Sequence, residues 1–340
     1  MIKTTLKEIA EALNISVSTV SKALKDYPDV SPKTKERVLE MAKSVNYSPN
    51  SFAQSLRYNK SFIIGLIVPV IVHDFFASII HAVVETARES GYAVIILETD
   101  ESYESEKKQV DFLIDKNVDG ILISLSDTTV NFNHIQYAMD KGVPVVLYDK
   151  TSRILNCSKV IIDDMIAAKN ATDYLIKTGC SKIAHIRGPL KPKTTIDRMK
   201  GYKAALAKNS IEYDKSLVYV SENLSYEDGY NLADKILKDH PDLDAIFSFT
   251  DLVAMGFLTR LNELEIAVPE QISIVGFSNW FLTQISSPSL TTVDQSGYDM
   301  GKQAFKILFK EMNGEIPDTA KQTVTIPTKL IIRNSTKAGA

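Results

Sequence analysis

The chain has 340 residues, of which 44% are hydrophobic and 24% are charged, so it is long enough for two or three globular domains. Its two cysteines, with no CxxC pair, and the lack of an 18-residue apolar run argue against a disulfide scaffold, a cysteine zinc site and a membrane-spanning protein. The net charge of −3 is uneven, because residues 1–60 hold ten Lys and Arg against six Asp and Glu. This asymmetry predicts a small polyanion-binding segment on an acidic body.

Two short helical patterns occupy the stretch from Leu6 to Leu24, separated by Asn14-Ile15-Ser16. In the first pattern, four apolar residues share one helical face: Leu6, Ile9, Ala10 and Leu13. Thr5 and Glu8 have the spacing of a capping box, which predicts where this helix begins. Ser16 is the predicted N-cap of the second helix. Two short helices joined by a tight turn predict a helix-turn-helix.

The second helix, residues 17–24, has the pattern of a recognition helix. Val17, Val20 and Leu24 share one face, whereas Ser18 and Lys22 point away from it. A recognition helix reads bases with its N-terminal residues and the following turn. We therefore expect Lys22 to donate to guanine, Ser18 to make a polar base contact and Val17 to pack on a thymine methyl. As alternatives, Val17 is part of the domain core, Lys22 contacts a phosphate, or the whole segment is a solvated amphipathic hairpin.

A third helix is predicted to begin at Ser31-Pro32, and residues 47–61 form a connection to the rest of the chain. From Leu6 to about Thr336 the chain resembles the lactose-repressor (LacI/GalR) family of transcription regulators. The resemblance lies in Ile9-Ala10, in the run ISVSTVSK of residues 15–22 and in the pattern YSPN…A..L of residues 47–56. One departure is Lys22, which stands where the family most often has Arg.

The resemblance implies a hinge helix within residues 47–61 and binding to double-stranded operator DNA as a homodimer. In the family, a leucine at the position of Leu56 wedges between base pairs in the minor groove, which bends the duplex. The alternative is a linker leucine that rests on the body. The expected DNA-binding residues are Thr5, Ser16, Val17, Ser18, Thr19, Ser21, Lys22, Tyr47, Asn50, Ala53 and Leu56.

From Phe62 onward, β-rich runs alternate with helical patterns, which predicts βαβ units and parallel sheets covered by helices on both faces. One series of strands is expected at 62–68, 92–97, 118–124 and 143–148, and a second at 159–162, 182–186, 217–220, 244–249 and 272–276. The predicted fold class is α/β, with a three-helix head on a bilobed body of two doubly wound parallel sheets. The resemblance implies a periplasmic-binding-protein-like body whose late segments cross between the lobes.

These patterns predict a domain organisation of a head at 1–46, a hinge helix and linker at 47–61 and a body at 62–340. For the body, the resemblance implies an N-lobe of about 62–160 plus 289–325 and a C-lobe of about 161–288 plus 326–336.

Enzyme motifs are incomplete in this sequence. Residues 297–303 imitate a phosphate loop but are one residue short, and Ser278 lacks the second glycine of a nucleophile elbow. The five histidines show no metal-ligand pairing. We therefore expect neither catalysis nor a cofactor or metal.

Candidate effector-binding residues stand at the predicted carboxyl ends of strands, where ligands of such sheets bind. The set comprises His73, Phe75, Phe76, Asp149, Asp163, Arg198, Asp251, Ser278 and Trp280. Arg198 matches the family pattern R-x-x-G-[FYW], whose arginine typically contacts the effector, and we expect its loss to leave the fold intact. Asp251 matches the family pattern [NS]-D-x-x-A-x-G. The alternatives are helix N-capping for Asp163 and Asp251, and a structural ion pair for Arg198.

Together these features predict a ligand-responsive transcriptional regulator, a repressor of carbohydrate-utilisation genes that binds a pseudopalindromic operator. The expected effector is a sugar or a small polar heterocycle, since aromatic walls with a few Asp and Arg suit such ligands. One alternative within the family is a protein coregulator, and one outside it is a sugar-binding protein of a transport system. The absence of a signal peptide predicts a cytoplasmic protein without membrane contact.

Overall fold

The computed structural model describes residues 5–45, 47 and 60–338, and the chain separates into two units between Ser61 and Phe62. We call them the head and the body. The predicted hinge helix, including Asn50, Ala53 and Leu56, lies outside the described residues. In the part of the chain that is described, no helix is both long and apolar enough to cross a bilayer.

The head contains three helices, α1 (Leu6–Leu13), α2 (Val17–Leu24) and α3 (Pro32–Ser44). The capping box predicted at the start of α1 is confirmed, since Thr5 and Glu8 exchange side-chain-to-backbone hydrogen bonds of 3.3 and 2.7 Å. Ser16 caps α2 as predicted and accepts from the backbone N–H of Thr19. The helices enclose a small apolar core: Ile9, Ala10, Val20, Ala23, Val30, Val38 and Ala42. A helix-turn-helix is therefore present at the predicted place.

The body is α/β, as predicted, and its first sheet belongs to the N-lobe. Its strands are β1 (Ile63–Val68), β2 (Ala93–Glu98), β3 (Gly120–Ile123), β4 (Val145–Tyr148), β5 (Ser158–Ile162) and β11 (Thr323–Ile326). They are parallel in the order β11-β5-β4-β3-β1-β2. The N-lobe helices are α4 (Asp74–Glu89), α5 (Tyr103–Asp115), α6 (Asn133–Asp140) and α12 (Gly297–Met312).

The second sheet belongs to the C-lobe. Its strands are β6 (Ile183–Arg187), β7 (Val218–Val220), β8 (Ala245–Ser248), β9 (Ser273–Phe277), β10 (Thr291–Asp294) and β12 (Lys329–Ile331). Their order is β12-β10-β9-β8-β6-β7, parallel except for the antiparallel edge strand β12. The C-lobe helices are α7 (Asp164–Lys177), α8 (Lys193–Lys208), α9 (Tyr226–Asp239), α10 (Asp251–Glu263) and the short α11 (Leu282–Ile285).

One predicted lobe boundary is wrong. Residues 289–325 were expected in the N-lobe, but β10 within that range pairs with β9 in the C-lobe sheet. The chain crosses to the N-lobe only after Asp294, enters α12, and returns to the C-lobe after β11. Strand periodicity reports only whether a strand is buried, and the partner strand is set by contacts far along the chain.

Two glycines of the family patterns permit close helix packing. A Cβ on Gly201 in α8 would lie 2.3 Å from the backbone oxygen of Met165 in α7, and one on Gly256 in α10 would lie 2.0 Å from that of Tyr226 in α9. Close approach of the backbones therefore requires glycine at both positions. Arg198 lies on the first of these glycine-containing helices, α8, and Asp251 begins the second, α10.

Candidate functional site

A cleft between the two lobes encloses a cavity of about 880 Å³ at the carboxyl ends of the strands. This volume falls within the range of small-molecule sites. Seven of the nine residues expected to bind an effector line it: His73, Phe75, Phe76, Asp149, Arg198, Ser278 and Trp280. They come together because β1, β4 and β9 end at this edge of their sheets, and α8 begins there after β6.

Two expected effector residues do not line the cavity. Asp163 is exposed and caps α7, accepting from the backbone N–H of Ile166 at 2.9 Å, so the capping alternative is correct for this residue. Asp251 is buried beneath the wall, where its carboxylate accepts from the backbone N–H of Trp280 at 2.8 Å and the hydroxyl of Thr292 at 2.5 Å. The cap of α10 is Thr250. Asp251 therefore supports the cleft from behind.

Arg198 is 4% exposed and already has three partners. Its Nε donates to the carboxylate of Asp164 at 2.8 Å, and its terminal nitrogens donate to the carbonyl of Phe249 at 2.7 Å and to the side chain of Gln295 at 3.2 Å. Its guanidinium also lies 4.3 and 3.6 Å from the ring centroids of Phe249 and Phe277. The ion-pair alternative is therefore realised. A guanidinium has five N–H donors, so two remain for a ligand.

An aromatic contact joins the lobes inside the cleft. His73, at the start of α4 in the N-lobe, stacks on Trp280 of the C-lobe with ring centroids 5.8 Å apart and an interplanar angle of 22°. Burial, with the nearby charges of Arg198 and Lys150, lowers the pKa of His73 to about 4. The imidazole is consequently neutral at physiological pH. This contact belongs to one particular arrangement of the lobes.

Sequence reasoning missed a half-buried ion-pair triad on the N-lobe side. The Nζ of Lys150 lies 2.5 Å from a carboxylate oxygen of Glu101 and 2.6 Å from one of Asp127. Burial raises the pKa of Glu101, and the charge of Asp127 adds to that effect. Lys150 directly follows Asp149 at the end of β4, so the strand-end rule that selected Asp149 would have found it. Glu101 and Asp127 likewise follow β2 and β3.

Asp149 itself stands apart from this triad. Within the described residues it forms no ion pair and accepts only a long hydrogen bond, of 3.4 Å, from the hydroxyl of Ser124. Burial raises its pKa to about 6, although Lys150 opposes the effect. Asp149 is therefore a half-buried acceptor that lines the cavity.

Several residues that line the cavity have strained backbone conformations. Five non-glycine lining residues have φ between 50° and 132°: Asp100, Glu101, Asp149, Leu224 and Ser278. Each such conformation costs about 1–3 kcal/mol and persists only where surrounding contacts impose it, typically at functional sites. The loops at the strand ends are thus held in unfavourable conformations that shape the cleft.

The polar face of α2 in the head is exposed, as predicted. Ser16, Ser18 and Thr19 form a cluster of hydroxyls with oxygen separations of 2.7 and 2.8 Å, and Ser21 is half-buried. Val17 is 43% exposed and lies outside the head's apolar core, which contradicts the core alternative for this residue.

Two other head residues have partners of their own. Lys22 donates to the carboxylate of Asp29. Tyr47 packs against the head core and its backbone N–H donates to the carbonyl of Ala42 at 2.8 Å. The hydroxyl face of α2 is therefore open, whereas the cation beside it is paired.

Comparison with known proteins gives a family match for the head and another for the body that contains the cleft. Residues 5–50 match the family model of bacterial regulatory proteins of the lacI family, and residues 61–334 match that of periplasmic binding proteins and the sugar-binding domain of the LacI family. The chain belongs to the lacI family of bacterial regulatory proteins. It is a DNA-binding transcriptional regulator, as predicted, and the alternative of a transport protein is wrong. The family consists of regulators, so the expectation of a non-enzymatic protein is confirmed.

Individual relatives are similar over nearly their full length. The ribose operon repressor of Halalkalibacterium halodurans is 34% identical over 336 residues, 99% of this chain and 98% of that protein. The transcriptional repressor PurR of Vibrio atlanticus is 31% identical, with 98% of each chain covered. Among solved structures, a complex of the regulator CelR with cellobiose is 27% identical and covers 98% of this chain and all of its own, with a TM-score of 0.74. The regulator CcpA of Lactococcus lactis is 32% identical and covers 81% of this chain and 99% of its own, with a TM-score of 0.73.

Proposed function

We propose that this chain is a cytoplasmic repressor that binds a pseudopalindromic operator as a homodimer, with an affinity set by a sugar-like molecule in the interlobe cleft. The observation that carries the ligand part is the cleft itself, which combines aromatic rings with the held guanidinium of Arg198 and the half-buried carboxylate of Asp149, which has no ion pair among the described residues. One relative named for the ribose operon, and another solved with cellobiose, support a carbohydrate.

In this proposal α2 enters the major groove. Ser18 and Lys22 reach base edges, Val17 packs on a thymine methyl, and Ser16, Thr19, Ser21 and Thr5 position the helix on the phosphates. Exposure of Val17 and of the hydroxyl cluster supports these roles. Tyr47, Asn50 and Ala53 belong to the proposed DNA contact that follows α3, and Leu56 is its minor-groove wedge.

The cleft would act on DNA affinity by changing the arrangement of the lobes. His73 and Trp280 are in contact across the cleft, and Arg198 joins α8 to the crossing segment through Gln295. A ligand that binds between them favours one arrangement only by as much as its affinity for the two arrangements differs. Ligand binding and operator binding are then coupled reciprocally.

Selection of binding sites from random DNA with the full-length protein tests the DNA part. We expect two abutting inverted half-sites, since a two-fold symmetric dimer reads its site twice. A single asymmetric site, or no preferred site, would overturn the proposal. Leu56→Ala should weaken specific binding by about 1–3 kcal/mol and leave non-specific binding unchanged. An equal loss on both kinds of DNA would assign Leu56 a purely structural role.

A further inference from the structure

The charges around the cleft narrow the class of effector, and this step rests on the proposed function. Five carboxylates line the cavity, belonging to Asp100, Glu101, Asp127, Asp149 and Glu222. Three cations line it, those of Lys150, Lys191 and Arg198. His73 adds no positive charge, because its pKa is lowered to about 4. The cavity walls are thus acidic on balance.

Two of the three cations already hold carboxylates. The Nζ of Lys150 lies 2.5–2.6 Å from both oxygens of Glu101 and 2.6 Å from Asp127. Arg198 is neutralised by Asp164 behind the wall, at 2.8 Å. Lys191 is exposed on the loop before α8. An anion taken into the cleft needs a cation or several aimed N–H groups, and here Lys150 and Arg198 are committed to protein carboxylates.

The triad is braced so that Lys150 does not move freely toward a ligand. The backbone N–H of Asp127 donates to Glu101 at 2.8 Å, and the hydroxyl of Thr128 donates to the carbonyl of Glu101 at 2.9 Å. The backbone N–H of Leu125 donates in turn to the carbonyl of Lys150 at 3.1 Å. Three loops from three strands therefore hold one another in place, and Lys150 is the charged centre of that arrangement.

A carboxylate that is not paired with a cation is suited to accept hydrogen bonds from the hydroxyl groups of a ligand. Asp149 faces the cavity with no ion pair among the described residues, and a carboxylate accepts from two vicinal hydroxyls at once. The remaining N–H groups of Arg198 can donate to further hydroxyl oxygens, while Phe249 and Trp280 offer flat apolar walls for ring carbons. An additional phosphate or carboxylate would instead meet like charges.

We infer that the effector is an uncharged polyhydroxylated molecule and that Glu101 and Asp127, by neutralising Lys150, exclude its phosphorylated form. The species sensed is then one that has not undergone phosphoryl transfer, and a kinase-type reaction would consume it. Glu101 and Asp127 act as specificity-determining residues. Without them, Lys150 would be free to bind the phosphate of a ligand.

Matched pairs of ligands test this inference without any substitution. The full-length protein is titrated calorimetrically with ribose and ribose 5-phosphate, with glucose and glucose 6-phosphate, and with cellobiose and a cellobiose phosphate. We expect the uncharged member of a binding pair to bind at least about tenfold more tightly, which is about 1.4 kcal/mol. Equal or tighter binding of the phosphorylated member overturns the inference but leaves the proposed function standing. If none of the six compounds binds or changes operator affinity, the proposed carbohydrate effector fails and the inference fails with it.

Two double variants test whether the pairing of Lys150 causes the preference for the uncharged ligand. Glu101→Gln with Asp127→Asn frees Lys150 and should reduce the preference for the uncharged ligand at least about fivefold, or about 1 kcal/mol. The control is Asp111→Asn with Asp115→Asn, which makes the same charge change on exposed positions of α5 and should leave the preference unchanged. An equal shift in both variants would show that overall charge, and not the pairing of Lys150, sets the preference. If the first pair of substitutions prevents folding, the comparison of matched ligands still decides the inference.

Discussion

Arg198 and Asp164 form a buried ion pair at the wall of the cleft, with Nε and Oδ1 2.8 Å apart and both residues less than a tenth exposed. Burial raises the pKa of Asp164, and Arg198 opposes that rise. The carboxylate therefore depends on the guanidinium for its charge. Removal of one partner of a buried pair leaves an uncompensated charge, so Arg198 supports the fold as well as the site. This contact favours the structural alternative for Arg198 over the expectation that its loss leaves the fold intact, and the stability of variants decides between the two.

Arg198→Ala should lower the free energy of unfolding by about 3–5 kcal/mol, because Asp164 is left buried and unpaired. Arg198→Met combined with Asp164→Asn removes both charges and should recover most of that loss. We expect the double variant to bind operator DNA normally and to be insensitive to the effector. Denaturant unfolding and operator titrations with and without sugar measure the two properties. A double variant that is stable and still responds to ligand would contradict a role of Arg198 in coupling.

Trp280 is positioned by two residues that do not line the cavity. Its backbone N–H is held by Asp251, and Arg333 donates to the neighbouring side chain of Asn279 at 2.7 Å and to the carbonyl of Leu290 at 2.8 Å. Asp251→Asn should weaken effector binding by about 1.5–3 kcal/mol, the range for a hydrogen bond to a charged group. Trp280 is the only tryptophan of the chain, so its fluorescence reports on this loop directly.

We expect a red-shifted emission in Asp251→Asn and in Arg333→Ala, since a loosened loop exposes the indole to water. Asp299→Asn, an exposed acid of α12, is the control with the same chemical change. Unchanged emission together with unchanged affinity would mean that these contacts do not position the tryptophan.

Asp149 should make stability depend on pH. Burial raises its pKa from 3.8 to about 6, so the folded protein binds the proton more tightly than the unfolded chain does. Its contribution to stability is fully present below about pH 4 and is lost as the pH rises through about 6. Asp149→Asn should therefore be nearly neutral at pH 4 and stabilise the body by up to about 3 kcal/mol well above pH 6. Calorimetric unfolding across pH 4–8 gives the difference, and a difference that does not vary with pH would refute this origin.

Asp29 should weaken DNA binding by holding Lys22. The two side chains are half-exposed and in contact, and the hydrogen bond from Lys22 is the first cause of the lowered pKa of Asp29. Lys22→Ala should weaken operator binding by about 1–3 kcal/mol and relax the preference for the base that Lys22 reads. Asp29→Asn should have the opposite effect on affinity, because it frees the cation.

Asp26→Asn is the matched control for that experiment, since Asp26 pairs with Lys35 at 2.6 Å on the same head. Fluorescence anisotropy with operator DNA at several salt concentrations measures all three variants. If Asp26→Asn strengthens binding as much as Asp29→Asn, the effect is one of general charge and Lys22 has no special role.

Local sequence signals were sufficient to predict the helices of the head. They were also sufficient to predict that the site lies at the carboxyl ends of the strands in each sheet. The capping box of Thr5 and Glu8 and the cap at Ser16 involve residues three positions apart, so the sequence alone determined where those helices begin. The rule that parallel strands deliver their following residues to one edge also placed His73, Asp149, Ser278 and Trp280 at the cavity. Such features depend on spacing within one element and are visible in a single sequence.

The tertiary structure decided which partners the residues of the cleft have. Lys150 meets Glu101 across 49 positions and Arg198 meets Gln295 across 97, and periodicity carries no information about such pairs. The same limitation put β10 in the wrong lobe, because hydrogen bonding to β9 and not its own pattern sets its sheet. It also left Asp163 and Asp251 equivalent, although one caps a helix in solvent and the other holds the Trp280 loop from inside. Charge pairing and burial arise between distant segments, so only the folded chain determines which charges the cleft presents to a ligand.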